Sequence, residues 1–290
     1  MNDNLKRTYE IVNQVVPLLE KEINRNCLFG AVVGSTASGL ANTGSDIDFV
    51  MVTEGDAFNK VITKDYVVED KEIGFMILAL DDLLDACEKY LSVEHKYPIC
   101  MYRTKEEEEI MAKLKPQERS DYIREMAIVL FFQSPKVIEY KQGILDAYKD
   151  KLVKGVRFID IWNYQFVRIY GNFNNEIKEK KEVLIRKYLY TVYEIMLGEY
   201  LLKNENMKRL PTVNFYEWVN NIYDWSEDER VKNIVNKLYN MHKQQNLDKK
   251  YKVLAEPLLN EWIKKSIETQ LAIIPAKEDI LKNTYLDILF

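Results

Sequence analysis

The residues of this sequence whose types and spacing could perform chemistry are two aspartates and a preceding glycine-serine pair. Asp46 and Asp48 lie two positions apart in an apolar segment, and Gly34-Ser35 closes the apolar segment before it. If the aspartates lie on a β-strand, alternation places both carboxylates on one face. Two like charges held so close cost stability unless a cation neutralises them. Mg²⁺ takes one or two carboxylates together with substrate phosphates, so the pair predicts a metal-nucleotide site.

The glycine-serine pair supplies the complementary half of such a site. Gly34 allows backbone N–H groups to approach a phosphate closely, and the segment after it, "TASGL", reads as the start of a short helix that favours anions. The hydroxyl of Ser35 is placed to donate to a phosphate oxygen. Ser45, directly before Asp46, joins Gly34 and Ser35 as a candidate for nucleotide binding.

A purely structural role for the aspartates is the alternative. In that interpretation Asp46 caps the strand and Asp48 pairs with a basic side chain. It leaves both the Gly34-Ser35 turn and its ten-residue spacing to Asp46 unexplained.

The elements that must position these residues form an α+β domain. A helix and four strands are predicted before residue 80, with the last two strands forming a hairpin that turns near Asp70, and a further helix follows. Pro17 makes a kink or break in the first helix possible. The predicted helices are 5–23 and 80–91, and the predicted strands are 28–34, 45–52, 65–69 and 72–78.

From about residue 117 to 273 nearly all of the sequence has helical periodicity. We therefore predict a small mixed β-sheet domain with flanking helices over residues 1–110, followed by an all-α domain over residues 111–290. The boundary between them is expected to be soft by several residues.

Bulk properties exclude several classes of protein. The net charge of −5 argues mildly against nonspecific binding to nucleic acid, and no apolar run is long enough to cross a membrane. Two histidines exclude a His-rich metal site, and three cysteines without a CxxC pair indicate reduced thiols. The charged N-terminal residues show no apolar leader, so a cytoplasmic protein is expected.

The motif hydrophobic-Gly-Ser-x10-Asp-h-Asp-h, which here runs from Val33 to Phe49, resembles the signature of the DNA polymerase β-like nucleotidyltransferase superfamily. The resemblance implies that Gly34 and Ser35 hold the triphosphate of an NTP. It also implies that Asp46 and Asp48 bind two Mg²⁺ ions, with a third carboxylate from a neighbouring strand. The implied reaction is transfer of a nucleoside monophosphate to a hydroxyl with release of pyrophosphate.

Three residues compete for the role of third carboxylate. Glu72 shares a strand face with Gly74, which leaves room for metal and substrate, and we favour it. Asp70 has the same parity if the strand starts earlier, and Glu69 lies before the predicted turn. The superfamily generally has aspartate at this position, so Glu72 is a departure from its pattern.

One group within the superfamily is similar to more of the chain: the predicted bacterial and phage nucleotidyltransferases of the YcgL, RNA-ligase-associated type. The shared features are "GSTASGLANTGSDID", "IRKYLYTVYEIM", a preceding "GNF" and a following "LPTVNFYEW". The resemblance implies that Arg186 or Lys187 of the basic pair contacts the triphosphate, and a solvated helix face is the open alternative for each. Arg168 and Lys141 are weaker candidates for the same role. The chain departs from the group at Val50 and Tyr193, where basic residues are usual.

The sequence thus predicts a Mg²⁺-dependent nucleotidyltransferase that uses an NTP, with ATP expected, and an acceptor hydroxyl. Three acceptor classes stay open: a small molecule such as an aminoglycoside or lincosamide antibiotic, an RNA end, or a protein hydroxyl. The competing hypothesis is a nucleotide-binding or scaffold protein with little or no turnover.

Overall fold

The structure of the protein is a computed structural model that describes residues 3–42, 44–58, 61–90, 126, 130–131, 133–154, 158–204, 210–244 and 251–283. Contacts within the chain divide it into two compact units. The first unit takes Met1–Gly34 and Asp46–Val156, and the second takes Ser35–Ser45 and Arg157–Leu286. The predicted domain boundary at residue 110 lies outside the described residues and stays a prediction.

A five-stranded mixed sheet forms the core of the first unit, in the order β3-β4-β2-β1-β5. β2 runs parallel to β4, and the other described neighbours are antiparallel. The strands are β1 (Cys27–Val33), β2 (Ile47–Thr53), β3 (Ile62–Val68), β4 (Lys71–Ala79) and β5 (Ile138–Glu139).

Helix α1 (Asp3–Ile23) packs its apolar stripe on one face of this sheet. Its buried residues, among them Val12 and Leu19, join Ile47 and Phe49 of β2 in one hydrophobic cluster. Pro17 lies inside α1, and the helix continues through it without a break. Because Ile47 and Phe49 point into this cluster, alternation sends Asp48 to the opposite face, where it is half-buried.

The hairpin between β3 and β4 closes through a two-residue turn. Glu69 and Asp70 have positive φ angles of 50° and 62°, and Val68 pairs directly with Lys71. Positive φ at both central residues is the geometry that matches the twist of a tight hairpin. β3 starts at Ile62, three residues earlier than predicted, because the pairing with β4 extends to Ile77.

Three more helices are α2 (Gly34–Ala37), which follows β1, α3 (Leu80–Tyr90) and α4 (Ile144–Lys154). β5 was not predicted. It has two residues and is defined by its hydrogen bonds to Phe29 and Gly30 of β1 rather than by an apolar pattern of its own.

Helices dominate the second unit: α5 (Phe158–Asn172), α6 (Ile185–Lys203), α7 (Glu229–Gln244) and α8 (Pro257–Asn283). Most residues of α6 are buried, which explains why this helix is apolar on nearly all sides. Shorter pieces complete the unit: π-helical turns at Phe173–Ile177 and Trp218–Ile222, a single α-turn at Phe215–Glu217, and a two-stranded sheet of β6 (Glu182–Leu184) and β7 (Lys252–Leu254).

The predicted class, a small mixed-sheet domain with helices followed by a helical region, is confirmed. Strands β5, β6 and β7 are the described departures from the predicted all-helical region 111–290. Among the described residues, none of the helices combines the length and the apolar character needed to cross a membrane.

Candidate functional site

Gly34 is held directly against one of the two aspartates. It has a φ of +66°, and the preceding residue, Val33, pairs with Asp48 across the β1-β2 ladder. A Cβ at position 34 would lie 2.5 Å from Asp48 Oδ2, so the carboxylate would have to move aside. Glycine fits this left-handed turn beside the carboxylate without strain.

The segment after Gly34 folds back on itself through hydrogen bonds. The backbone N–H of Ala41 donates to Ser35 O at 2.8 Å, and the hydroxyl of Ser38 donates to the same oxygen at 3.2 Å. At its far end, Ser45 Oγ accepts from the backbone N–H of Asn42 at 3.0 Å and donates to Asn42 Oδ1 at 3.1 Å. Ser45 thus closes the segment just before Asp46, and its role in nucleotide binding stays a prediction.

A row of three residues crosses the sheet on the face away from α1. Gly74 of β4 pairs with Asp48 of β2 on one side and with Asp65 of β3 on the other. A Cβ at Gly74 would lie 3.8 Å from Asp48 Oδ1 and 3.5 Å from Asp65 Oδ1. Two carboxylates therefore flank the one position in the row that has no side chain.

Sequence reasoning missed Asp65. The signal that could have found it is the hairpin register, because a two-residue turn at Glu69 and Asp70 pairs position 65 with Gly74. Alternation then places Asp65 on the exposed face of β3, on the same side as Asp48.

The three predicted candidates for the third carboxylate occupy different positions. Glu72 is exposed, on the same face of β4 as Gly74 and two residues before it. Asp70 and Glu69 form the hairpin turn rather than a strand, and Glu69 accepts a hydrogen bond from Arg7 of α1. All three assignments stay predictions.

The donor set at Asp48 and Asp65 fits Mg²⁺ bound together with a nucleotide. Carboxylate oxygens are the hard ligands this ion prefers, and phosphates and water complete its coordination. Within the part of the chain that is described, no three or more His, Cys, Asp or Glu side chains are spaced to hold a metal on their own.

The second unit carries a polar cavity of about 520 Å³ at the predicted basic pair. Lys187 donates to Asn172 Oδ1 at 3.1 Å and lies 3.9 Å from a carboxylate oxygen of Glu176. Arg186 is exposed, and no hydrogen bond or ion pair of its guanidinium is found within the described ranges. The lining residues are Arg168, Gly171, Asn172, Asn175, Glu176, Arg186, Lys187 and Tyr190.

The guanidinium of Arg168, which lines this cavity, is already hydrogen-bonded to two other side chains. Its Nε donates to Oε1 of the buried Glu194, and its Nη1 donates to the Tyr164 hydroxyl at 2.9 Å. The charge of Glu194 raises the pKa of Arg168, while burial raises the pKa of Glu194 against the pull of the guanidinium. The uncompensated positive charge of the cavity therefore comes from Arg186.

Residues 30–126 match the family model described as nucleotidyltransferase domain. The match includes Gly34, Ser35, both predicted aspartates and the hairpin that carries Asp65. It supports the superfamily resemblance and nucleotidyl transfer as the general chemistry of this segment.

A nucleotidyltransferase-like protein from Exiguobacterium sibiricum 255-15 is similar in structure over 92% of this chain and 75% of its own, with 11% sequence identity and a TM-score of 0.27. A TM-score this low does not establish a shared fold. No curated protein matches this chain significantly.

Proposed function

We propose that the protein is a Mg²⁺-dependent nucleotidyltransferase. It transfers a nucleoside monophosphate from an NTP, with ATP as the expected donor, to an acceptor hydroxyl, and pyrophosphate is released. The observation that carries this proposal is the contact between the Gly34 turn and the Asp48 carboxylate. A phosphate held at that turn lies beside a carboxylate that binds the metal counterion of the same phosphate.

The residues have distinct roles in this proposal. Gly34 and Ser35 bind the triphosphate through backbone N–H groups and the serine hydroxyl. Asp46 and Asp48 would hold the Mg²⁺ ions, and Asp65 or Glu72 is the third carboxylate. When bound, the two ions would stabilise the leaving pyrophosphate and lower the pKa of the attacking hydroxyl.

The cavity at Arg186 and Lys187 supports contact with an anionic group of the substrate. An exposed guanidinium without an ionic partner in the described part of the chain is suited to bind a phosphate in two places at once. We assign this pair to the triphosphate, in keeping with the resemblance to the YcgL, RNA-ligase-associated type. A small molecule such as an antibiotic, an RNA end and a protein hydroxyl stay the three acceptor classes, and a cytoplasmic location is part of the proposal.

Pyrophosphate release tests the reaction. The purified chain is incubated with Mg²⁺, each of the four NTPs and pools of the three acceptor classes, with and without EDTA. Asp46→Asn and Asp48→Asn are expected to abolish release. Asp56→Asn removes the same charge from an exposed position after β2 and is expected to leave release unchanged. Release that survives both site variants would refute the assignment of the aspartates.

A nucleotide-binding protein with little or no turnover is the second candidate. The observation that favours it is that, among the described residues, Asp48 and Asp65 are the two that bring carboxylate oxygens within 4 Å of a Cβ at Gly74, whereas the superfamily resemblance implies three metal-binding carboxylates. Titration of a fluorescent NTP analogue in the presence of Mg²⁺ separates the two functions. Tight binding without pyrophosphate release from any acceptor would favour the binding protein.

A further inference from the structure

The chain segment after the Gly34-Ser35 turn is held by the helices of the second unit, to which residues 35–45 belong. The backbone N–H of Phe215 donates to Ser38 O at 2.8 Å. His242, near the end of α7, places its Nε2 at 2.7 Å from Leu40 O. Because a carbonyl oxygen only accepts hydrogen bonds, Nε2 of His242 carries the proton.

Lys243 donates hydrogen bonds to the carbonyl groups on either side of that of Leu40. Its Nζ donates to Gly39 O at 3.3 Å and to Ala41 O. The same ammonium lies 6.0 Å from the ring centroid of Tyr239, one turn earlier on α7. Four consecutive carbonyls, those of residues 38–41, therefore accept hydrogen bonds from the helical part of this unit.

Two of these peptide groups also donate hydrogen bonds to carbonyl groups of the Gly-Ser turn and α2. In a trans peptide the C=O and the following N–H point in opposite directions. The peptide whose carbonyl accepts from His242 uses its N–H, that of Ala41, to donate to Ser35 O at 2.8 Å. The peptide whose carbonyl accepts from Phe215 uses its N–H, that of Gly39, to donate to Thr36 O at 3.3 Å. Hydrogen bonds linked in this way polarise and strengthen each other.

The donors themselves are rigidly supported. Phe215 is fully buried and stacks on Tyr239 at a centroid distance of 5.3 Å. Asn214 packs against Gly39 so closely that a Cβ there would lie 2.8 Å from its Nδ2, and Gly39 has a φ of +73°. Burial also lowers the pKa of His242, so the imidazole is neutral at pH 7.5 and acts as a donor without adding charge.

We propose that His242 is a positioning residue for the nucleotide-binding turn: through the Leu40–Ala41 peptide it fixes the Ser35 carbonyl and thereby α2, while Lys243 holds the carbonyls on either side of Leu40. This inference rests on the proposed function, because the turn is the one assigned to the triphosphate. It also gives the "LPTVNFYEW" segment a role, since Asn214 and Phe215 of that segment complete the set of contacts.

The test compares His242→Leu, which removes the donor, with His242→Gln, whose amide nitrogen reaches the same place. Neither changes the charge at pH 7.5. The first measurement is hydrogen exchange of peptides covering residues 35–42, which does not depend on turnover. His242→Leu is expected to raise exchange at the Ala41 amide about tenfold, and His242→Gln to restore it.

The second measurement is steady-state pyrophosphate release. His242→Leu is expected to raise the KM for the NTP about tenfold with a smaller change in kcat, and His242→Gln to restore the KM. Lys243→Met removes the donor to the neighbouring Gly39 and Ala41 carbonyls and serves if His242→Leu does not fold. Lys237→Met, which removes a charge from an exposed position of α7, is the matched control and should change neither measurement.

The outcomes separate this inference from the proposed function. Unchanged exchange of residues 35–42 in folded His242→Leu and Lys243→Met would overturn the inference, as would an unchanged KM or failure of His242→Gln to restore it. If the wild-type chain neither binds an NTP nor releases pyrophosphate, the proposed function is refuted. In that case His242 has no role in nucleotide binding, even if hydrogen exchange shows that α7 stabilises the turn.

Discussion

Adding one methyl group at Gly74 should raise stability and lower activity about 100-fold. The Cβ of Gly74→Ala would lie 3.5 Å and 3.8 Å from its nearest carboxylate oxygens, which are ordinary contact distances. Gly74 does not have a positive φ, so alanine fits the strand without strain. Glycine in a strand interior costs roughly 0.5–1 kcal/mol relative to alanine. The variant should therefore be more stable by that amount, which corresponds to a rise in Tm of about 1–4 °C.

The same methyl group stands between Asp48 and Asp65, where the proposed metal and phosphate oxygens must fit. Carboxylates that hold Mg²⁺ approach it to about 2.1 Å, which leaves no room for an added methyl among the ligands. A displacement of about 1 Å at a reacting centre costs about 100-fold in rate. We therefore expect kcat/KM for the NTP to fall by about 100-fold.

Thermal unfolding and pyrophosphate release, measured on the same preparation, test this pair of expectations. Thr63→Ala, two residues before Asp65 on the exposed face of β3, is the matched control and should retain full activity. A Gly74→Ala variant with wild-type kcat/KM would show that the reactants do not lie over Gly74. A large loss of stability would instead show that a Cβ at position 74 does not fit between Asp48 and Asp65.

Four further predictions follow from other contacts. Gly34→Ala should lower stability by about 1–2 kcal/mol because alanine is strained at the positive φ of this position. Its Cβ would also displace the Asp48 carboxylate, which lies 2.5 Å from that point. The effect is opposite in sign to that of Gly74→Ala, and thermal unfolding measures it. If Asp65 is the third carboxylate, Asp65→Asn should lower kcat about 100-fold and Glu72→Gln much less; the reverse order in a pyrophosphate assay would restore the original assignment. Because burial lowers the pKa of His242, its contribution to stability is fully present above about pH 6.5 and is lost as the pH falls below that value and through the lower pKa of the folded state; urea titrations should show this loss, and His242→Gln should reduce it. Arg186→Ala should raise the KM for the NTP about tenfold, and an unchanged KM would remove the cavity from the nucleotide site.

The sequence predicts the first unit well where the signal is local. Strong β-branched and aromatic runs define β1 and β2, and the stripe of α1 matches the sheet face that it covers. Asp48 faces away from α1 as alternation requires, and glycine at position 34 is explained by the contact with it. These features depend on neighbours within a few residues, so periodicity and residue type are sufficient to find them.

What the sequence could not predict depends on partners far along the chain. Ile138–Glu139 is a strand only because it pairs with the edge of β1. A two-residue segment is too short to carry a strand pattern of its own. Asp65 lies beside Gly74 and Asp48 only through the register of two strand pairs. The carbonyls of residues 39–41 accept from side chains 202 to 204 positions later, and no local pattern in "TASGLA" points to those donors.

The distance in sequence between these carbonyls and their donors affects the order in which the parts of the protein fold during synthesis. Leu40 and His242 are 202 positions apart in the chain. At a synthesis rate of roughly 5–20 residues per second, about 10–40 seconds pass between the two residues on the ribosome. The sheet that carries Asp48 can be complete during this interval while the Gly-Ser turn still lacks the donors of α7. Nucleotide binding is therefore expected to appear only late in synthesis, after the helical region has been made.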